Sequence, residues 1–215
     1  MAKENIIFIC AHSDDHVIGA GGTIKKYSRE GKQVLVLILS HGEKSHPWLK
    51  TRVTKKMRKD EALEAGDILG CQTKFYHIEE GHFQRDLIKT KLDKELLKII
   101  NKRKPSKIFT HSDEDPHPDH RAAYQITLDL VKKITPKPEI YVFSVWNPFT
   151  FRKSSLPRLF VNISQTFKTK IKAMACFHSQ RFNAIYPLIL GTLIRAIKNG
   201  IHIEGKFAEK FYKIK

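Results

Sequence analysis

Short runs of β-branched and other apolar residues alternate along the chain with segments of helical periodicity. Runs such as IIFIC and VLVLIL are typical of strands buried on both faces, and the intervening segments place apolar residues three or four apart. This alternation is typical of βα units and predicts an α/β fold, with a Rossmann-like, mostly parallel sheet and helices on both faces. The predicted strands cover 6–10, 34–39, 74–78, 107–111, 140–145 and 158–163. The predicted helices cover 22–30, 51–69, 88–102, 119–133, 165–178 and 184–198.

The length of 215 residues suits one domain, because single domains commonly span about 100–200 residues. The sequence shows no internal repeat, no low-complexity tract and no convincing domain boundary, so we expect one domain over 1–215. The apolar segment 184–197 is shorter than the roughly twenty residues that cross a bilayer. We interpret it as a core or subunit-interface helix, with a helix lying in a membrane interface as the alternative.

The three cysteines, Cys10, Cys71 and Cys176, lie far apart and form no CxxC pair. This pattern excludes a disulfide framework and a thiolate zinc site, and it indicates a reducing compartment. The apolar run near the N-terminus is shorter than that of a signal peptide. We therefore expect a cytoplasmic protein, with peripheral attachment to a membrane as an open alternative.

Positive charge is concentrated towards the C-terminus. The chain has 39 Lys and Arg against 22 Asp and Glu, and residues 152–215 contain only two acids, Glu204 and Glu209. A strongly basic portion favours an anionic partner, which is a phosphorylated substrate, a membrane surface or nucleic acid. A lysine-rich surface without a specific partner is the competing explanation. The sequence contains no helix-turn-helix, zinc-finger or RNA-binding motif, so we expect no specific nucleic-acid partner.

Two polar turns follow strands of the predicted sheet. The turn AHSDDH follows the first strand and HSDEDPHPDHR follows the fourth, and together they hold five histidines and six acids. Because ligands of parallel sheets bind beyond the carboxyl ends of the strands, we expect these turns to form one site. Catalytic zinc takes three His or carboxylate ligands and keeps one position open for water. His12, Asp15 and His120 can provide such a set, and Asp14 and His117 remain beside it for proton transfer.

A glycine-rich segment, Gly19-Ala20-Gly21-Gly22-Thr23-Ile24, superficially resembles a dinucleotide-binding loop. The sixth position of that loop is a small residue, whereas it is Ile24 here. The acidic turn also stands where the pyrophosphate would lie, and its carboxylates would repel phosphate. We therefore reject a dinucleotide cofactor and interpret the segment as a turn that leads into the first helix.

The two polar turns resemble those of the LmbE-like N-acetylglucosaminyl deacetylases, the family that includes PIG-L. The family pattern A-H-P-D-D is AHSDD here, with Ser13 in place of the proline, and D-x-H-P-D-H is matched by DPHPDH at 115–120. Further resemblances follow in family order at Ser40-His41-Gly42-Glu43, Arg58-x-x-Glu61-Ala62, His178-Ser179-Gln180 and Phe207-Ala208-Glu209-Lys210-Phe211. One departure is Glu80, which stands where the family has an aspartate before glycine. The resemblance extends over nearly the whole chain.

The resemblance implies a zinc hydrolase that removes the acetyl group from the amine of an N-acetylglucosaminyl compound. It implies that His12, Asp15 and His120 hold the zinc ion, in a site whose composition also accepts iron(II), cobalt or manganese. The implied partner is an N-acetylated amino-sugar substrate. The basic portion 152–215 favours a substrate that is linked to a phosphate or a lipid.

The resemblance also assigns the other roles at the site. Asp14 would act as the general base, and a protonated His117 would stabilise the tetrahedral intermediate. Asp119 would orient His117 or tune its proton. Arg58 would lie at the mouth of the site as a substrate or oxyanion contact. Separately from the resemblance, the place of His111 at the end of the fourth strand suggests that it supports the ligands from outside.

Several alternatives stay open from the sequence. A metal hydrolase of the same fold that acts on another acyl amide would carry the same residues. A basic protein that binds an anion, a membrane or nucleic acid could instead hold a structural metal. The polar turns could also serve only as caps, with Asp119 as the N-cap of a helix. Contact with a membrane surface and assembly into a homo-oligomer are both open.

Overall fold

A computed structural model describes residues 3–45, 48–146 and 156–214; part of the basic portion, 152–155 and 215, lies outside these ranges. The strands are β1 Asn5–Cys10, β2 Gln33–Ile38, β3 Gln72–Phe75, β4 Lys107–His111, β5 Glu139–Phe143, β6 Arg158–Asn162 and β7 Ala208–Lys213. The helices are α1 Asp15–Arg29, α2 Thr51–Leu69, α3 Phe83–Thr90, α4 Leu92–Arg103, α5 Pro118–Lys132, α6 Phe167–Ala175 and α7 Tyr186–Ile201. Short helical turns cover Glu43–Ser45, His178–Gln180 and Arg181–Ile185.

The strands form one seven-stranded sheet in the order β3-β2-β1-β4-β5-β7-β6. The first five strands pair in parallel, and β7 is inserted antiparallel between β5 and β6. Successive β1 side chains enter opposite apolar clusters, with Ile6 and Phe8 on one side and Ile7 and Ile9 on the other. Helices α1, α2, α6 and α7 cover the first side, and α3, α4 and α5 cover the second. The predicted mostly parallel α/β fold with helices on both faces is confirmed.

Two predicted helices differ most from their bounds in the structure. Helix α1 begins at Asp15 rather than at 22, because its glycine-rich segment packs as helix against the sheet instead of forming a turn. A Cβ atom at Gly22 would lie 2.7 Å from Ile163, so only glycine allows this close approach. The predicted helix 88–102 is split into α3 and α4 at Lys91, whose φ of 54° ends the first helix.

Strand β7 was not predicted, because its sequence AEKFYK lacks a long apolar run. Its Glu209 is nevertheless buried, and it forms an ion pair with Lys170 of α6, whose Nζ lies 2.6 Å from Glu209 Oε1. The same carboxylate accepts hydrogen bonds from the backbone N–H groups of Gly22 and Thr23, and Lys170 donates to the carbonyl of Ile18. These contacts join α1, α6 and β7.

We expect Glu209→Ala to lower the free energy of unfolding by about 3–5 kcal/mol, because it leaves the buried Lys170 charge without a partner. Urea titration followed by circular dichroism measures the change. The matched control is Asp60→Ala, which removes an exposed ion pair with Lys56 and is expected to change the same quantity by less than about 1 kcal/mol. Equal effects of the two substitutions would contradict the role of this ion pair.

Within the described residues, no helix combines the length and the apolar character needed to cross a membrane.

Candidate active site

The carboxyl ends of β1 and β4 lie side by side near the centre of the sheet, because these strands pair in parallel although they are distant in sequence. The strand order reverses at this place, since β2 lies beyond β1 whereas β5 lies beyond β4. A reversal of this kind leaves a crevice above the strand ends. The turn 11–14, the loop 112–117 and the N-termini of α1 and α5 meet there.

Three side chains that the sequence suggested as ligands converge in this crevice. His12 Nδ1 lies 3.3 Å from His120 Nε2, and Asp15 Oδ1 lies 3.2 Å from the same His120 nitrogen. Asp15 Oδ2 lies 3.7 Å from His12 Nδ1. All three side chains are buried. Two overlapping groups of these residues with their neighbours, His12 with His117 and His120 and Asp15 with His111 and His120, lie close enough to hold a metal ion.

Each histidine of this cluster has a carboxylate at its other ring nitrogen. Asp119 Oδ2 lies 3.2 Å from His12 Nε2, and Asp115 Oδ1 lies 2.9 Å from His120 Nδ1. A carboxylate at one ring nitrogen of a neutral imidazole holds the proton there and leaves the lone pair on the other nitrogen. With both rings neutral, as metal ligation requires, the lone pairs of His12 Nδ1 and His120 Nε2 would face each other inside the cluster.

Two groups support the cluster from outside. Asp115 was not assigned a role from the sequence, although it opens the matched D-x-H-P-D-H motif. It is buried, and it also accepts hydrogen bonds from the backbone N–H groups of His117 and Val145. His111 was expected to support the ligands, and its Nε2 lies 3.1 Å from Asp15 Oδ2 and accepts a hydrogen bond from the N–H of Ala11. Asp115 therefore contacts His120 from outside the cluster, and the N–H of Ala11 sets the orientation of the His111 ring beside Asp15.

The carboxylates of the cluster favour a positive charge at its centre. Burial raises the pKa of Asp15, but His120 and His111 outweigh this effect and hold the pKa well below its usual value. Burial opposes protonation of His120, yet Asp15 and Asp115 raise its pKa to about 10. The carboxylates therefore stay ionised and attract a cation.

Asp14 and Arg58 form a buried ion pair beside the cluster. Arg58 Nη2 lies 3.0 Å from Asp14 Oδ1, and Arg58 Nε donates to Ser13 Oγ at 2.9 Å. Gly42 has a φ of 71°, and a Cβ atom there would lie 2.9 Å from the guanidinium, so the turn that holds Arg58 requires glycine. The sequence suggested an Arg58 at the mouth of the site, whereas the structure buries it against Asp14, with part of its side chain in the cavity wall.

His117 is the N-cap of α5. Its Nδ1 accepts a hydrogen bond from the backbone N–H of Asp119 at 3.2 Å, and Pro118 occupies the first turn of the helix. In the neutral ring, an accepting Nδ1 places the proton on Nε2. Asp119 was expected to orient His117 or tune its proton. The contact between them is made by the backbone N–H of Asp119, whereas its carboxylate lies against His12 and accepts hydrogen bonds from the N–H of Gly81.

A cavity of about 180 Å³ opens onto these groups. His12, Asp14, Asp15 and His117 contribute to its wall, whereas His120 lies deeper. The remaining wall combines apolar and polar side chains from the strand ends and the helical turns. Its members include Ile18, Ser45, Glu80, Val145, Trp146, Gln180 and Ala184. The crevice therefore admits a small group to the cluster.

Residues 7–131 match the model of a protein family described as "PIG-L: GlcNAc-PI de-N-acetylase". The matched range is more than half of the chain and contains every ligand candidate. The chain belongs to the PIG-L family. One relative of this chain is the "4-oxalmesaconate hydratase" of Pseudomonas putida. The two are 27% identical over 197 residues, which cover 83% of this chain and 74% of the relative.

Another PIG-L relative is a "Probable N-acetyl-alpha-D-glucosaminyl L-malate deacetylase 2" of Bacillus cereus, 27% identical over 194 residues, covering 83% of this chain and 84% of the relative. Among solved structures, the N,N'-diacetylchitobiose deacetylase from Pyrococcus horikoshii superposes with a TM-score of 0.81 at 22% identity. That superposition covers 98% of this chain and 84% of the other chain and shows a common fold. The PIG-L relatives thus include deacetylases and a hydratase.

Proposed function

We propose that this chain is a zinc-dependent hydrolase that removes the N-acetyl group from an N-acetylglucosaminyl substrate. The observation that carries the proposal is the convergence of two imidazole nitrogens, His12 Nδ1 and His120 Nε2, with the carboxylate of Asp15 beside a cavity. Membership in a family that contains deacetylases supports the reaction, and the names of the relatives support the class of substrate.

The three side chains fit a zinc ion. Tetrahedral zinc with nitrogen and oxygen ligands at about 2.0–2.1 Å separates its ligand atoms by roughly 3.4 Å. His12 Nδ1 and Asp15 Oδ1 lie 3.3 and 3.2 Å from His120 Nε2, close to this separation. The 3.7 Å contact with His12 Nδ1 is made by the other Asp15 oxygen, Oδ2. His117 also groups with His12 and His120, and His111 groups with Asp15 and His120, although a backbone N–H occupies His111 Nε2. We assign His12, Asp15 and His120 as the ligands, as the family resemblance implies, and keep His117 for the oxyanion.

Bound zinc would lower the pKa of water towards about 7 and polarise the amide carbonyl. The chain itself supplies the proton transfer. Asp14 faces the cavity, and its ion pair with Arg58 fixes Oδ1, so we assign Oδ2 to take a proton from the attacking water. Asp14 then returns this proton to the amine that leaves, and the products are acetate and the free amino sugar. A positioned general base contributes about 10²–10⁴-fold to the rate.

His117 is the donor that we assign to the oxyanion. The N–H of Asp119 occupies its Nδ1, so Nε2–H is the donor in the neutral ring. A neutral donor replaces the imidazolium that the sequence suggested, because a proton on Nδ1 would oppose the N–H of Asp119. One donor of this kind contributes about 10²–10³-fold to kcat.

Asp115→Asn is expected to weaken zinc binding by about 10–100-fold, because His120 loses the carboxylate that holds its proton and its orientation. Competition with a chromogenic zinc chelator measures the affinity. The matched control is Glu114→Gln, which alters an exposed carboxylate of the same loop and is expected to leave the affinity unchanged. If both variants bind zinc like the unmodified protein, Asp115 does not support a ligand.

The experiment for the substrate measures acetate release from a panel. The panel contains N-acetylglucosamine, N,N'-diacetylchitobiose, a phosphate-linked form and a lipid-linked form. We expect release from at least one member, with preference for a phosphate- or lipid-linked form because of the basic portion 152–215. Equal turnover of neutral and phosphate-linked members at low and high salt would show that the basic portion does not select the substrate.

Hydration is the second candidate reaction, because one relative is a hydratase. A hydratase adds water across a carbon–carbon double bond and releases no acetate. Incubation with 4-oxalmesaconate separates the two reactions, since hydration removes the conjugated absorbance of the compound. Loss of this absorbance, without acetate release from any N-acetyl substrate, would favour the hydratase over the deacetylase.

A further inference from the structure

Helix α7 is apolar on two faces, and the fold covers only one of them. Its inner face, with Leu188, Thr192, Ala196 and Gly200, is buried against the body of the protein. Six large side chains point outwards from α7 and the turn before it, and we call them the α7 stripe. They are Phe182 (78% exposed), Tyr186 (53%), Leu190 (63%), Ile194 (43%), Ile197 (45%) and Ile201 (73%).

The α7 stripe is continuous. The spacing of its helical members, three or four residues apart from Tyr186 to Ile201, places them in one row roughly 22 Å long. Phe182 extends the row, because its ring packs edge-on against that of Tyr186 at a centroid distance of 5.4 Å. Single exposed apolar residues are common, whereas a contiguous row marks a surface that binds a partner or a membrane.

The charged residues of the segment that carries the α7 stripe have one sign. Between Glu139 and Glu204 the chain contains no Asp or Glu, and its charged residues there are all Lys or Arg. Arg181 precedes the α7 stripe, and Lys198 lies within its helix at the edge of the row; both are exposed. An apolar row with basic residues at its edges is typical of helices that lie in the interface of an anionic membrane.

We propose that the α7 stripe docks on the surface of an anionic lipid bilayer, with α7 parallel to the membrane plane. The anionic headgroups would complement Arg181 and Lys198, and the apolar row would enter the boundary between headgroups and acyl chains. A symmetric contact between two copies would instead bring the basic residues of both copies to one interface. The charge therefore favours the membrane over a second copy.

The proposed docking face borders the candidate active site. Gln180 and Ala184 line the cavity, and Phe182 lies between them in the sequence and points to solvent. Docking would therefore hold the cavity wall close to the headgroup layer. Vesicle binding tests this proposal without reference to the reaction, so its failure is distinguishable from failure of the proposed deacetylase.

The test is sedimentation of the full chain with phosphatidylcholine vesicles that contain about one third phosphatidylglycerol, since anionic lipid is the expected ligand. We expect binding to these vesicles and none to pure phosphatidylcholine. The variant Leu190→Asp/Ile194→Asp is expected to bind at least about tenfold more weakly, because it places charge in the apolar row. Lys198→Glu is expected to weaken binding as well. The matched control is Ile88→Asp, which alters a 76% exposed residue on α3 and is expected to bind like the unmodified protein.

Thermal unfolding confirms that each variant is folded, and Leu190→Ser/Ile194→Ser replaces the aspartate variant if that one is unstable. Failure of the unmodified protein to sediment with anionic vesicles would overturn the proposal. Equal binding of the stripe variant and the Ile88→Asp control would overturn it too. A dimer in light scattering that the stripe variant converts to a monomer, without vesicle binding, would assign the α7 stripe to a second copy instead.

Discussion

Asp14→Asn is expected to reduce the rate of acetate release by about 10²–10⁴-fold while the protein still binds one zinc ion. The amide cannot accept the proton of the attacking water, but it preserves the shape of the side chain beside Arg58. Asp14 is not among the proposed ligands, so zinc affinity is expected to stay within a few-fold of that of the unmodified protein. The measurement pairs steady-state acetate release with zinc content by mass spectrometry.

The control for this substitution is Asp113→Asn, which changes a half-buried carboxylate of the neighbouring loop that does not line the cavity. Its activity and zinc content are expected to match those of the unmodified protein. Full activity of Asp14→Asn would remove Asp14 as the general base. Loss of zinc from Asp14→Asn would instead assign its carboxylate to the metal.

His120→Ala is expected to abolish zinc binding and acetate release together. It removes one of three proposed ligands, and it leaves Asp15 and Asp115 without the ring that lies between them. The loss of affinity should exceed the roughly 10–100-fold expected for Asp115→Asn, because a ligand is removed rather than its supporting group. Equilibrium dialysis measures the zinc affinity, and circular dichroism measures the helix content.

The matched control for this second substitution is His202→Ala, which removes an exposed histidine beyond the end of α7. It is expected to bind zinc and release acetate like the unmodified protein. A folded His120→Ala that retains stoichiometric zinc would refute the assignment of His120 as a ligand. The alternative group of His12 with His117, Glu80 and Asp119 would then hold the metal.

The central part of the site could be predicted from the sequence because it depends on local turns at strand ends. Parallel strands align their carboxyl ends, so the turns after β1 and β4 meet even though His12 and His120 are distant in sequence. The buried strands β1, β2 and β4 could be predicted for a different local reason. Strands that are buried on both faces are largely continuous apolar runs.

Other features depend on contacts that no local pattern reveals. Glu209 is stable inside β7 because Lys170 and two N–H groups of α1 surround it, and none of these partners is near it in sequence. The family resemblance placed Arg58 at the mouth of the site, and its R-x-x-E-A motif does not show that the guanidinium reaches Asp14. The exposed face of α7 was also hidden, because an apolar helix has the same sequence pattern whether the fold covers one face or two.

Titration of chelator-stripped protein with zinc tests the central claim most directly. The measured quantity is the rate of acetate release from the preferred member of the substrate panel, as a function of zinc added per chain. We predict no release without metal, a linear increase with added zinc, and a break at about one zinc per chain, as expected for one catalytic ion held by three protein ligands. Release that survives complete removal of metal, or no release from protein that holds one zinc ion per chain, would contradict the claim.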